Sequence, residues 1–120
     1  MYEFNYQRPG SLDDAVNALR SAEDGQFMAG GMTLLPTLKQ RLARPSDVID
    51  LAGVPGLSGI SEEGGNIVVG AMTRHAEVAS STVVQAAIPA LAALADGIGD
   101  PQVRNRGTIG GSVANADPAA

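Results

Sequence analysis

Hydrophobic and polar positions follow two different rhythms along the first part of the chain. Met1-Tyr2-Glu3-Phe4-Asn5-Tyr6 alternates as a short strand does and stops before Arg8-Pro9-Gly10. Leu12, Ala15, Val16, Leu19 and Ala22 then recur at helical spacing, with Ser11 as N-cap, Asp14 at the capping-box position and Gly25 as the stop. Phe27-Met28-Ala29 is a short buried strand that runs into Gly30-Gly31. Leu34, Leu35, Leu38 and Leu42 mark one face of a second helix, capped by Thr33, with Pro36 accommodated in its first turn. Lys39, Arg41 and Arg44 lie toward its C-terminal half, where cations suit the helix dipole, and Arg44-Pro45 ends it. Asp47-Val48-Ile49-Asp50-Leu51 completes a β-α-β-α-β pattern compatible with a small parallel sheet.

Gly53, Pro55 and Gly56 then mark a boundary between subdomains. Leu57 to Ile60 and Ile67 to Ala71, joined by Glu62-Glu63-Gly64-Gly65-Asn66, predict a hairpin. Thr73 starts a short helix through Val78, and Ser81 or Thr82 starts another. From Val83 to Ile98 nearly every residue is small and apolar. That composition predicts helix, broken or begun by Pro89, and the missing polar face predicts burial on most sides. Asp100 to Gly107 reads as a polar loop leading into Thr108-Ile109-Gly110-Gly111-Ser112.

Composition narrows the chemistry. The 120 residues include two Phe, two Tyr and no Trp, so the core is built from Leu, Ile, Val and Ala. Eight Lys and Arg against thirteen Asp and Glu give a net charge of −5, a poor balance for wrapping nucleic acid or an anionic membrane. The absence of cysteine excludes disulfides and removes the usual ligands of iron–sulfur clusters and structural zinc. His75, the single histidine, cannot build a metal site alone. With no long apolar run and no basic-then-apolar start, a soluble cytoplasmic protein is the expectation.

Two paired-glycine segments are the candidate binding elements. Ala29-Gly30-Gly31-Met32-Thr33-Leu34 joins a strand end to a helix start, where unpaired N–H groups and the helix dipole favour phosphate. Thr108-Ile109-Gly110-Gly111-Ser112 offers a second backbone concavity of the same kind, so the pair reads as two cradles for one phosphate-bearing ligand. Each segment also has a plainer explanation, as an ordinary strand-to-helix turn at Gly30-Gly31 and a tight turn or bulge at Gly110-Gly111. His75 reads as a surface or capping histidine, Thr73 as a helix cap or a ligand contact, and Arg104 and Arg106 as a solvated loop or an anion contact.

The segments AGGMTLLPTLKQRLARPSDVIDL, IVVGAMTRHAEV and GDPQVRNRGTIGGSVANADPAA, in this order, resemble the medium, flavin-binding subunit of the molybdenum hydroxylases, the relatives of xanthine dehydrogenase and aerobic carbon monoxide dehydrogenase. The resemblance implies an α+β FAD-binding domain of the vanillyl-alcohol oxidase, or PCMH, type. It divides the chain into a first subdomain over 1–54 and the start of a second over 55–120. Ala29, Gly30, Gly31, Met32, Thr33 and Leu34 would hold the FAD pyrophosphate, and Thr108, Ile109, Gly110, Gly111 and Ser112 would form the second cradle. The last of these positions is often Asn in the family. Ile98 would face the flavin region from a helix end.

FAD is the expected cofactor of this chain, with a molybdenum cofactor on a large partner subunit and [2Fe-2S] clusters on a small one, assembled as a dimer of heterotrimers. Electrons would pass from the clusters through FAD to an external acceptor, and no side chain here would act as an acid or base. Family subunits are more than twice this length, which implies that the chain is an N-terminal portion. The other functions weighed are a flavin-free assembly module and a stand-alone FAD-dependent reductase of the same fold.

Overall fold

The computed structural model describes residues 1–119, and Ala120, the last residue of the third resemblance segment, lies outside them. The chain divides into two compact units, Met1–Pro55 and Gly56–Ala120.

In the first unit, strands β1 (Asn5–Gln7), β2 (Gly25–Met28) and β3 (Asp47–Asp50) form a parallel sheet in the order β1-β3-β2. Helix α1 (Leu12–Ser21) connects β1 to β2, and helix α2 (Leu34–Lys39) lies between β2 and β3. The β-α-β-α-β pattern is therefore present, with β1 beginning at Asn5 rather than Met1. The central strand β3 is buried at all four residues. Its two carboxylates are tolerated there because each is hydrogen-bonded. Asp47 accepts from Ser46 Oγ at 2.7 Å and from Gln7 Nε2 at 2.9 Å, and the Ser46 hydroxyl holds its carboxyl below the ordinary carboxylate range. Asp50 accepts from the Tyr6 hydroxyl and from the Ala52 N–H, so it also caps the 3-10 turn Leu51–Gly53. Val48 and Ile49, with Ala15 and Leu38, supply apolar core positions at 1% exposure or less.

Helix boundaries depart from the sequence expectations in local ways. Ser11 caps α1 by accepting from the Asp14 N–H, whereas no return bond from the Asp14 carboxylate is seen among the described residues. The helix ends at Ser21, and Gly25 begins β2 instead of stopping α1. Thr33 precedes α2 in helical geometry without a side-chain cap. The α2 helix stops at Lys39, and Arg41 takes φ 57°, so Leu42 leaves the helical face and is 73% exposed.

In the second unit, β4 (Ile60–Glu63) and β5 (Asn66–Val69) form the antiparallel hairpin, closed by Gly64 and Gly65, both at positive φ. Helices α3 (His75–Ser80), α4 (Thr82–Ala87), α5 (Pro89–Asp96), α6 (Pro101–Arg104) and α7 (Ile109–Asn115) follow. Val78, Val84, Ala92 and Ala95 form the core, against which Ile60, Ile67, Val69 and Leu91 pack. Pro89 begins α5 at its first turn, where its missing N–H costs nothing. The alanine-rich run is not buried on most sides: one seam faces the core, while Ile88 and Leu94 are 43% and 64% exposed. The segment expected as a polar loop contains α6, because the Asp100 carboxylate accepts from the Val103 N–H and Pro101 occupies the first turn.

Candidate functional site

The segment after β2 leaves the sheet and turns into α2 through Ala29-Gly30-Gly31-Met32-Thr33. Gly31 sits at φ 77° and is buried, a conformation that L side chains rarely adopt. A Cβ there would lie 3.0 Å from Leu35 Cδ1. The Gly31 carbonyl accepts from the Leu35 N–H at 2.9 Å, which fixes the turn against the helix. Among the described residues, the N–H groups of Gly30, Gly31, Met32, Thr33 and Leu34 have no hydrogen-bond partner in the chain. Successive unpaired N–H groups around a left-handed glycine form an anion-binding concavity. A cofactor phosphate fits the donor set of this loop.

The second segment is arranged differently. Thr108 is the N-cap of α7, its Oγ1 accepting from the Gly111 N–H at 3.1 Å, so Gly110 and Gly111 lie within the helix instead of forming an open turn. Residues 71–75 run antiparallel beside it. Gly107 O accepts from the His75 N–H at 3.0 Å, Thr73 O from Ile109 N–H at 3.0 Å, and Ala71 O from Gly110 N–H at 2.8 Å. Ser112 N–H donates to Thr108 O at 3.1 Å. The N–H groups of Ile109, Gly110, Gly111 and Ser112 are thus all engaged inside the protein. Gly110 is required for contact, since a Cβ would lie 2.5 Å from Ala71 O.

The polar side chains around α7 are similarly committed. Thr73 is fully buried, its hydroxyl accepting from Gly59 N–H at 2.9 Å and donating to Gly59 O at 3.2 Å, so it ties down the hairpin end. Arg74, not Thr73, is the N-cap of α3. Arg104 Nη1 donates to Ile98 O and Gly99 O, each at 3.1 Å, so that guanidinium braces the α5–α6 connection. Ile98 itself is half-buried in that connection. His75 is buried at 4% exposure, and burial holds its imidazole below its ordinary pKa. Its Nε2 lies 3.1 Å from Ser112 Oγ, across 37 positions of sequence. This pair was not foreseen; the available signal was a lone histidine in an otherwise ordinary helix start, and no spacing rule joins it to Ser112.

An open depression of about 600 Å³ in the first unit is bordered by Asn5, Gln7, Asp14, Asn17 and Asp47, and includes no residue of either glycine segment. Among the described residues there is no group of three or more His, Cys, Asp or Glu able to hold a metal ion. No helix among them is long and apolar enough to cross a membrane.

Comparison with known proteins gives the context. Residues 2–120 match the family described as the FAD binding domain in molybdopterin dehydrogenase. The chain is 48% identical over 116 residues to the carbon monoxide dehydrogenase medium chain of Hydrogenophaga pseudoflava, covering 96% of this chain and 40% of that one. It is 46% identical over 114 residues to the nicotine 6-hydroxylase medium subunit of Paenarthrobacter nicotinovorans, again covering 40% of the relative. Among solved structures, quinoline 2-oxidoreductase from Pseudomonas putida 86 superposes with a TM-score of 0.95 at 39% identity, over 99% of this chain and 42% of that one. The α+β architecture is shared with these flavoprotein subunits, and the chain spans about 40% of the length of the curated relatives it matches. The chain belongs to the FAD-binding domain family of the molybdopterin dehydrogenases.

Proposed function

We propose that this chain supplies the FAD-holding portion of a molybdenum hydroxylase medium subunit, with the FAD pyrophosphate seated on the Gly30–Leu34 backbone. The observation that carries this reading is the run of five N–H groups that have no partner among the described residues, at a buried, left-handed Gly31. Ala29 closes the strand side of the loop. Met32 and Thr33 shape its outer rim, and the chain's part in the reaction is to bind and orient rather than to move protons. When bound, FAD supplies the redox chemistry that lets one carrier accept electrons from one partner and deliver them to another. Thr108, Ile109, Gly110, Gly111 and Ser112, and Ile98, are further cofactor contacts in this proposal.

The units Met1–Pro55 and Gly56–Ala120 correspond in this proposal to the first FAD-binding subdomain and the start of the second. The partners are a large subunit with the molybdenum cofactor and a small subunit with [2Fe-2S] clusters, in a dimer of heterotrimers, and the location is cytoplasmic. Support for partners comes from relatives named as medium chains and medium subunits, together with the lack of cysteine for clusters on this chain.

Thermal unfolding of the chain with and without FAD tests the reading. A ligand that binds the native state raises the melting temperature with concentration. FAD raises it in the parent chain, and the increment shrinks in Gly31→Ala, whose side chain strains the loop. An unfolding curve indifferent to FAD overturns the reading in favour of a flavin-free assembly module.

A further inference from the structure

Helix α2 ends in a paired turn in which the Arg41 N–H donates to Leu38 O at 3.0 Å and the Leu42 N–H to Thr37 O at 3.1 Å. This bonding pattern puts a left-handed residue just past the helix end, where glycine is the usual occupant. Here the position is filled by Arg41 at φ 57°. The turn itself has no use for that side chain, so what it reaches is informative. Its guanidinium carbon lies 5.3 Å from the centre of the Tyr2 ring, and the guanidinium carbon of Arg44 lies 4.9 Å from the same centre. Both distances are within the range of a cation–π attraction. Two like charges are thereby gathered at one ring.

The ring and both arginines are exposed. Among the described residues neither guanidinium has a carboxylate or carbonyl partner, whereas that of Arg104 donates to Ile98 O and Gly99 O. No Asp or Glu occurs between Asp24 and Asp47, a span that holds Lys39, Arg41 and Arg44, so a chain of net charge −5 carries a local excess of cations here. Met1 and Leu42, neighbours of Tyr2 and Arg41 in sequence, add exposed apolar surface. Arginine, tyrosine and methionine are enriched in protein interfaces, and a guanidinium fork matches a carboxylate in bidentate fashion. The surroundings favour a short acidic segment over an extended polyanion, because residues 1–55 carry seven acidic side chains against five basic ones.

We propose that Tyr2, Arg41 and Arg44 form a docking site for an acidic segment of a partner protein, in which two neighbouring carboxylates each meet one guanidinium and relieve the repulsion between them. The site lies wholly within the unit Met1–Pro55 and is independent of the FAD assignment.

The test is a fluorescence anisotropy titration of a labelled peptide of four glutamates flanking one leucine, and of its glutamine counterpart, with the parent chain, Arg41→Gly, Arg44→Gln and the double variant. The glutamate peptide binds the parent and the glutamine peptide binds more weakly. Each single variant lowers affinity for the glutamate peptide about 2- to 5-fold, the scale of one exposed ion pair. The double variant lowers it further, and raising the salt concentration erases the differences. Arg41→Gly keeps or raises the melting temperature, because glycine suits a left-handed position, so its weaker binding is not a loss of fold. Equal affinity of the parent and both single variants, or of the two peptides, overturns the inference, as does a parent that binds neither peptide. Binding to vesicles of phosphatidylserine and phosphatidylcholine in preference to the peptide also overturns it, in favour of a membrane surface.

Discussion

The N–H of Gly110 donates to the carbonyl of Ala71 at 2.8 Å, and a Cβ on Gly110 would lie 2.5 Å from that same oxygen. Two parts of the chain nearly forty positions apart in sequence are joined by a contact that tolerates no side chain. The pairing explains physically why a TIGG segment and the stretch around Ala71-Met72-Thr73 occur together: each completes the other's backbone hydrogen bonds.

Gly110→Ala is therefore destabilising even though alanine favours helix over glycine by about 1 kcal/mol. The obstacle is Ala71, whose carbonyl oxygen, Cα and Cβ all lie within 3 Å of the added atom and cannot rotate away. Overpacking of this kind costs about 1–3 kcal/mol, so the net loss read by denaturant unfolding is expected to be up to about 2 kcal/mol. Gly97→Ala is the control. Its added Cβ meets nothing closer than 3.6 Å at a φ of −90°, so unfolding should show a gain of about 0.4–1 kcal/mol.

Leu38 and Leu42 share a helical face in the sequence and part company in the fold. Leu38 is 1% exposed and Leu42 73% exposed. Leu38→Ala is expected to cost about 2–5 kcal/mol, the range for truncating a buried leucine. Leu42→Ala should change stability by less than about 0.5 kcal/mol. Equal costs for the two would place Leu42 in the core after all.

These positions show where the sequence was legible and where it was not. The order of elements in the first unit follows from local signals: Ser11 caps a helix, Val48-Ile49 reads as a buried strand, and Gly64-Gly65 closes a hairpin. The end of α2 did not follow, because Arg41 adopts a left-handed conformation that nothing in its side chain announces. Alanine carries no mark of its side, so the alanine-rich run reads in sequence as buried all round. One seam of Val84, Ala92 and Ala95 faces the core, while alanines on the other side face solvent. The two glycine pairs looked equivalent as letters. They differ in what their N–H groups bond, and that depends on residues 71–75, which no local pattern connects to residues 107–110.

Burial of His75 makes the second unit sensitive to mild acid. Its folded pKa lies below its ordinary value, so between that ordinary value, about 6.5, and the lower folded pKa the unfolded chain binds more protons than the native one. Stability is full above about pH 6.5 and falls as the pH drops through that window, then ceases to depend on this group once the native ring is protonated too. His75→Gln removes this dependence, and melting temperatures across the range check it. A parent and variant with parallel pH profiles would show that His75 titrates alike in both states.

The most direct measurement of the central claim is a backbone amide NMR titration of the chain with FAD. The account predicts saturable shifts at the amides of Gly30, Gly31, Met32, Thr33 and Leu34, whose hydrogens are free to meet the pyrophosphate, and much smaller changes at Ile109, Gly110 and Gly111, whose hydrogens already have partners. No shift in the Gly30–Leu34 amides at saturating FAD, or shifts confined to Ile109–Gly111, would contradict it.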